Sequence, residues 1–244
     1  MDLREAPQHQ FRRHPWEVAR LRFFRRVLEH HGLPRQADRI VDVGAGDAWF
    51  SRQLLQFLPA EASITCWDSG YFPATPAPEP RLSFSREPPE GPFGLALLLD
   101  VLEHVADDAG FLALVLERVQ AGGAVLVSVP AWNRLMSSHD AALAHYRRYD
   151  PADARRLLER TGLQIQEAGG LFHSLLAPRA LSVVLERLRK PREATTPSLE
   201  WRGGAGLGRA LDKALAVDNA LSIAAARRGW ELPGLSWWAL CRKP

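Results

Sequence analysis

The densest chemical signal in this chain is Ile40-Val41-Asp42-Val43-Gly44-Ala45-Gly46-Asp47-Ala48-Trp49-Phe50. Glycines at such a turn let the backbone approach a ligand closely, and a helix starting just after them presents unpaired N–H groups. Roughly twenty residues on, Asp68 closes a second β-branched run, where a carboxylate can accept both hydroxyls of a ribose. Turn and acid together specify a nucleoside-containing ligand, whereas the turn alone would equally suit a plain strand-to-helix connection. A dinucleotide fingerprint places a third glycine, over a pyrophosphate, where this chain has Trp49. The indole argues against pyrophosphate, and the Asp42 carboxylate suits a cationic ligand instead. Two further groups could do chemistry. Glu103-His104 follows an apolar run ending at Asp100, and a histidine suits deprotonation of a hydroxyl near neutral pH. His139-Asp140 and His145-Tyr146-Arg147-Arg148-Tyr149-Asp150 form the other group, with two imidazoles and an acid that could also ligate a metal.

The elements that must position these residues alternate in type. Pro15 to His31 carries Trp16, Val18, Leu21, Phe24, Val27 and Leu28 at helical spacing. Arg39 to Val43 and Ser63 to Trp67 predict strands, with a helix over Asp47 to Leu58 between them. A Pro-rich loop, Pro73 to Pro80, leads to a weak strand around Leu82 to Phe84. Gly94 to Leu99 is almost wholly apolar, as suits a strand buried on both faces of a parallel sheet. Asp107 to Gln120 predicts a helix, Ala124 to Val129 a fifth strand, Asp150-Pro151 to Arg160 a helix, and Leu163 to Leu171 a sixth strand. Two amphipathic helices follow, Ser174 to Arg189 and Leu207 to Arg228, joined by a linker from Pro191 to Gly206. Ser236 to Arg242 predicts the last strand. The sum is a single α/β domain over 1–244: an N-terminal helical cap (1–38), a ligand-binding core (39–173), a helical insertion (174–233) and a closing strand (234–244).

Composition sets outer bounds. The 244 residues are 46% hydrophobic and 24% charged, as in ordinary globular proteins. The net charge is +3, and only Lys190, Lys213 and Lys243 are lysines, so the cations are overwhelmingly arginines interspersed with acids. That balance permits a polyanionic partner without requiring one. Cys66 and Cys241 cannot make a disulfide framework, and Met1 to Glu5 is charged from the outset. A reduced, cytoplasmic setting without a secretion signal is therefore expected. No apolar run is long enough for a transmembrane span, although arginines on the C-terminal helices leave peripheral membrane contact open. Oligomeric state is not legible.

The sequence resembles the class I S-adenosylmethionine-dependent methyltransferases, within them most closely the group related to ubiquinone-biosynthesis O-methyltransferases. The resemblance rests on Val41-Asp42-Val43-Gly44-Ala45-Gly46, on Asp68, on Leu99-Asp100-Val101-Leu102-Glu103-His104-Val105 and on Gly122-Gly123-Ala124-Val125-Leu126-Val127-Ser128-Val129-Pro130, over roughly Ile40 to Gly170. It implies a seven-stranded Rossmann-like sheet whose last strand is antiparallel. It also implies S-adenosylmethionine, which carries an ammonium and a sulfonium, as cofactor. Asp42, Gly44, Ala45, Gly46, Asp68 and Asp100 would hold it, and Ser85, Arg86 and Glu87 are the candidates for the adenine. His104 is the candidate base. Glu103, His139, His145, Tyr146, Arg147 and Tyr149 would face a small-molecule acceptor, methylated at a hydroxyl oxygen. A bland reading stands beside this one, in which Glu103-His104 only shapes a loop and the arginines pair with Asp150 and Asp153. No metal is expected, because the acidic pairs of the catechol-type enzymes are absent. Nor is nucleic acid, since Asp100-Val101-Leu102-Glu103 stands where amino-methyltransferases of nucleic acid carry Asn/Asp-Pro-Pro-aromatic. The competing readings are an NAD-dependent oxidoreductase and a catalytically silent S-adenosylmethionine-binding module.

Overall fold

The computed structural model describes residues 13–72, 79–188 and 204–244. The Pro191 to Gly206 linker, most of the Pro73 to Pro80 loop and the Met1 to Glu5 segment fall largely or wholly outside them. In chain order come α1 (Pro15–His30), α2 (Leu33–Gln36), β1 (Arg39–Val43), α3 (Trp49–Leu55), β2 (Ser63–Trp67), β3 (Leu82–Ser85) and β4 (Phe93–Leu99). A 3-10 turn (Leu102–His104), α4 (Asp108–Leu116), β5 (Val119–Pro130), a second 3-10 turn (Asn133–Leu135), α5 (Ser138–Ala142) and α6 (Pro151–Arg160) follow. The chain ends with β6 (Gln164–Leu171), α7 (His173–Leu188), α8 (Ala205–Ala226) and β7 (Ser236–Arg242).

The strands form one seven-stranded sheet in the order β3-β2-β1-β4-β5-β7-β6. β1 to β5 pair in parallel, while β7 lies antiparallel between β5 and β6. The expected fold class is thus the observed one. Strand order reverses between β1 and β4, and the crevice outside the carboxyl ends of the strands at such a switch point is where open α/β sheets bind ligands. Each strand buries alternate residues on opposite faces, which is why the sequence runs are apolar without a break. Ile40, Ile64, Leu95, Leu97, Leu126 and Leu240 meet α1, α3 and α8 on one face. Val41, Val43, Ala96, Leu98, Val125 and Val127 meet α4 and α6 on the other.

Three local departures from the expected boundaries have physical causes. Helix α3 starts at Trp49 because Gly46 and Ala48 both take left-handed backbone, at φ 54° and 55°, and cannot be its first turn. β5 starts five residues early: Val119 is buried opposite Phe93, and a register shift then carries the strand past Gly122 at φ 70°. Burial of Val119 overrides the helical period of the Asp107 to Gln120 stretch. The two C-terminal helices of the expected insertion separate in role. Leu175 of α7 reaches the edge, whereas α8 lies on a sheet face, with Leu215, Ile223 and Ala226 packed among α1 and β7 side chains. Asn219 Nδ2 of α8 donates to the Ala19 carbonyl of α1 at 2.8 Å. Among the described residues no helix is long and apolar enough to cross a membrane.

Candidate active site

A cavity of about 660 Å³ opens at the carboxyl ends of β1, β2, β4 and β5, within the range of small-molecule sites. Gly44, Asp68, Asp100 and Pro130 bound it from the strands, and Trp16 and Arg20 of α1 close over it. Gly44 is a glycine for two reasons. Its φ is 64°, and a Cβ there would stand 2.8 Å from Val101 Cγ2.

Five amides of the turn after β1 donate within the protein. Gly44 N and Ala45 N donate to the Trp67 carbonyl, Gly46 N to Asp68 Oδ2, Ala48 N to the Ala45 carbonyl and Trp49 N to Asp47 Oδ1. Arg13 then pairs with Asp47 and stacks on Trp49, with its guanidinium carbon 4.8 Å from the ring centroid. A phosphate cradle needs those N–H groups free. What the turn offers instead is the Asp68 carboxylate, fixed at the end of β2 by Gly46 N at 2.9 Å and Gly70 N at 2.8 Å. Each of its oxygens has a second lone pair for a ribose hydroxyl. Deeper in, Arg20 pairs with Asp100, whose other oxygen accepts from Ser128 Oγ at 3.0 Å. Asp100 holds φ at 60°, a conformation a β-branched residue would resist. Trp67 and Phe111 form an apolar corner beside Val105, their ring centroids 5.6 Å apart.

Asp42 lies under the turn, buried on the α3 side of the sheet, and accepts from Ser51 Oγ at 2.5 Å; it is not part of the cavity wall. Burial pushes its carboxyl up to about 6, partly offset by the Ser51 hydrogen bond. Ala45 and Gly46 do not line the cavity either, nor do Ser85, Arg86 and Glu87, the adenine candidates, of which Arg86 and Glu87 are exposed.

The other end of the cavity gathers Glu103, His104, His139, His145 and Arg148. Glu103 is only 1% exposed, and its Oε2 has no hydrogen-bond partner. Burial, reinforced by the neighbouring Asp100, pushes its carboxyl well above the usual range. The His104 and His145 rings meet edge to face at 4.6 Å. Burial, followed by the Arg179 charge, lowers the His139 imidazole below its ordinary value. Asp140, fully buried, anchors this end: its oxygens take His145 Nδ1 at 3.1 Å, Arg148 Nε at 2.7 Å and an Arg179 nitrogen of α7 at 2.6 Å. Burial opposes its ionisation, but the His145 hydrogen bond and the two guanidinium charges outweigh burial and hold Asp140 well below the carboxylate range.

Of the acceptor-side residues expected from sequence, Glu103, His104, His139 and His145 reach the cavity. Arg147 and Tyr149 turn away to bind Asp108, at 2.8 Å and 2.7 Å, and Tyr146 is 63% exposed beside a second, smaller pocket. The reason is strand-like alternation. Tyr149 bridges to Ala131 in parallel, so residues 147 and 149 face one way and Arg148 the other, into the cavity. Arg148 was legible in that alternation but not in composition. The arginine partners are Asp108 and Asp140, not Asp150 and Asp153.

The comparisons follow the geometry. Residues 9–168 match the family model described as a methyltransferase domain, and the chain belongs to that family. S-adenosylmethionine is the cofactor that goes with it. Among solved structures, the chain is similar to the [4+2]-cyclase SpnF, at 16% identity over 97% of this chain and 85% of that one, with a TM-score of 0.59. A SAM-dependent methyltransferase from Archaeoglobus fulgidus is 11% identical over 91% and 94%, with a TM-score of 0.52. An S-adenosylmethionine-dependent methyltransferase from Mesorhizobium loti is 13% identical over 85% and 91%, also at 0.52. At such identities these likenesses bear on the fold. No curated protein matches closely enough to add to the family assignment.

Proposed function

We propose that this chain transfers a methyl group from S-adenosylmethionine to a small-molecule acceptor, at a hydroxyl oxygen. The observation that carries the reading is a single cavity holding a ribose acid and an ion pair at one end and ionisable side chains at the other. When bound, the cofactor supplies a methyl activated on a sulfonium. Asp68 accepts from the ribose hydroxyls. Arg20 and Asp100 answer the carboxylate and ammonium of the methionine end, exchanging their mutual pairing for pairing with a zwitterion. Trp67, Val105 and Phe111 offer the apolar face a purine needs. Across the cavity, His104 stands where it can take the proton from an acceptor hydroxyl as the oxygen attacks the methyl in line. Arg148 and His139 orient the acceptor, and Leu175 and Phe172 exclude water.

The NAD reading is disfavoured because five of the turn amides are already donated within the protein and Arg13 pairs with Asp47 at the start of α3. Fold alone does not assign methyl transfer, since a cyclase is among the similar structures. Calorimetry on the full chain should show saturable binding of S-adenosylmethionine and S-adenosylhomocysteine but not of NAD. Asp68→Ala should weaken both by about 10- to 100-fold, the loss of hydrogen bonds to a charged group. With a panel of alcohols and phenols, His104→Ala should lower turnover by ~10²–10⁴ while S-adenosylhomocysteine affinity stays nearly unchanged. Binding of NAD in preference, or no loss in either variant, overturns this reading. Binding without turnover on any acceptor leaves the silent cofactor-binding module.

A further inference from the structure

We infer that the acceptor end of the cavity is also a metal site, in which Glu103, His104 and His145 hold one divalent transition ion such as Zn²⁺, Fe²⁺ or Co²⁺. One potential ligand atom from each of these three residues lies within 4.8 Å of the other two. Ligands around a common ion at about 2.0–2.2 Å stand roughly 3–4 Å apart, so the three atoms need draw together by only about 1 Å. The backbone is already fixed, because Tyr146 N donates to the Glu103 carbonyl at 2.8 Å and thereby locks the two contributing segments to each other.

Two independent features point to an ion. The first is Glu103 Oε2, an oxygen in a side chain 1% exposed that lines the cavity and has no hydrogen-bond partner. A buried acceptor left unmet is costly, and a cation would meet it. The second is the support behind His145. Its Nδ1 is bonded to the fully buried Asp140, itself held by Arg148 and Arg179. This leaves Nε2 as the ring's ligating atom, and a carboxylate behind the opposite nitrogen is the usual outer support of a metal-binding histidine. Two imidazoles and one carboxylate select borderline transition ions over Mg²⁺ or Ca²⁺, which require oxygen-rich shells. The sequence suggested a different set, His139, Asp140 and His145; in the structure Asp140 backs His145 and residues 103 and 104 join it.

Three protein ligands leave coordination positions open toward the cavity, as in catalytic rather than structural sites. An acceptor hydroxyl in such a position would be acidified by the ion. This consequence rests on the methyl-transfer reading, and with the ion bound His104 would serve as ligand instead of base. The site itself does not rest on that reading, so the test is binding of metal alone. Chelator-stripped full-length protein, without cofactor, is titrated with Co²⁺ and followed by its visible d–d absorption, then with Zn²⁺ by competition. One equivalent should bind with micromolar or tighter Kd. His145→Ala and Glu103→Gln should each weaken binding at least about tenfold, and Asp140→Asn about 10- to 100-fold through the outer shell. His30→Ala, at an exposed histidine outside the cavity, should change nothing. His145→Asn is the second variant should Glu103→Gln fail to fold, with circular dichroism and S-adenosylhomocysteine binding reporting integrity. Absence of saturable one-to-one binding, or binding indifferent to His145 and Glu103, overturns the metal site. The methyl-transfer reading would survive that result if S-adenosylhomocysteine still binds.

Discussion

Asp42 shows how a motif residue can be legible in sequence and still act in an unexpected place. Its position in Asp-x-Gly-x-Gly suggests direct contact with a cation, yet its carboxyl sits behind the cavity wall on Ser51. A folded-state value near 6 stands above the ordinary Asp value of about 3.9. A carboxyl raised in this way binds its proton more tightly in the folded chain. Its contribution is therefore fully present below about pH 4 and is lost as pH rises through about 6, by no more than about 3 kcal/mol. Asp42→Asn removes that loss and keeps an acceptor for Ser51. Urea melts near pH 5 and near pH 7.5 should show the variant gaining on the wild type as pH rises, and a constant difference would refute the buried charge. The same buried anion should favour cationic S-adenosylmethionine over the neutral thioether of S-adenosylhomocysteine, so Asp42→Asn should weaken the former more. Asp68 was more directly legible, because a strand end fixes where its side chain emerges. Arg20 was not, since nothing local distinguishes it from the many other arginines.

Strands β1, β2 and β7 have the boundaries their apolar runs suggest, because burial on both faces leaves little freedom in where such a strand begins and ends. The β4 and β5 start points were less legible, since they depend on Phe93 and Val119 meeting across the sheet, a partnership no local window contains. The same holds for the pressure of the segment after β4 on the turn after β1. Val101 stands against Gly44, so the loop that carries Glu103 and His104 is packed directly on the turn after β1. Gly44→Ala should destabilise the fold by about 1–3 kcal/mol, from left-handed backbone and overpacking together. Val101→Ala should cost stability by itself but relieve part of that clash. A double-mutant cycle read by chemical denaturation should then give a combined loss smaller than the sum of the two, and strict additivity would show that the two elements are not coupled.

At the scale of the molecule, α8 decides whether the C-terminal helices belong to the same folding unit as the sheet. Sequence alone suggests a single domain with a helical insertion, but no local window shows what holds the helix beyond the Pro191 to Gly206 linker to the rest of the chain. The contacts supply that link. Asn219 bonds to Ala19, 200 positions away in sequence, and Leu215, Ile223 and Ala226 share a core with Phe23, Phe24 and Trp238. Helix α1 is thereby held against α8 while its Trp16 and Arg20 form part of the cavity wall. Loss of α8 would uncover α1, and loss of α1 would open the cofactor end, so the chain should unfold in a single transition. A ligand bound in that cavity must then stabilise the whole unit by RT ln(1 + [L]/Kd), about 2.7 kcal/mol at a hundred times Kd. For a chain of this size that corresponds to a rise in Tm of about 5–10 °C. Calorimetric scans with S-adenosylhomocysteine should show one peak displaced by this amount. Two peaks, of which only one moves, would mean that α7 and α8 melt independently and that α1 is not the link between cofactor binding and the C-terminal helices.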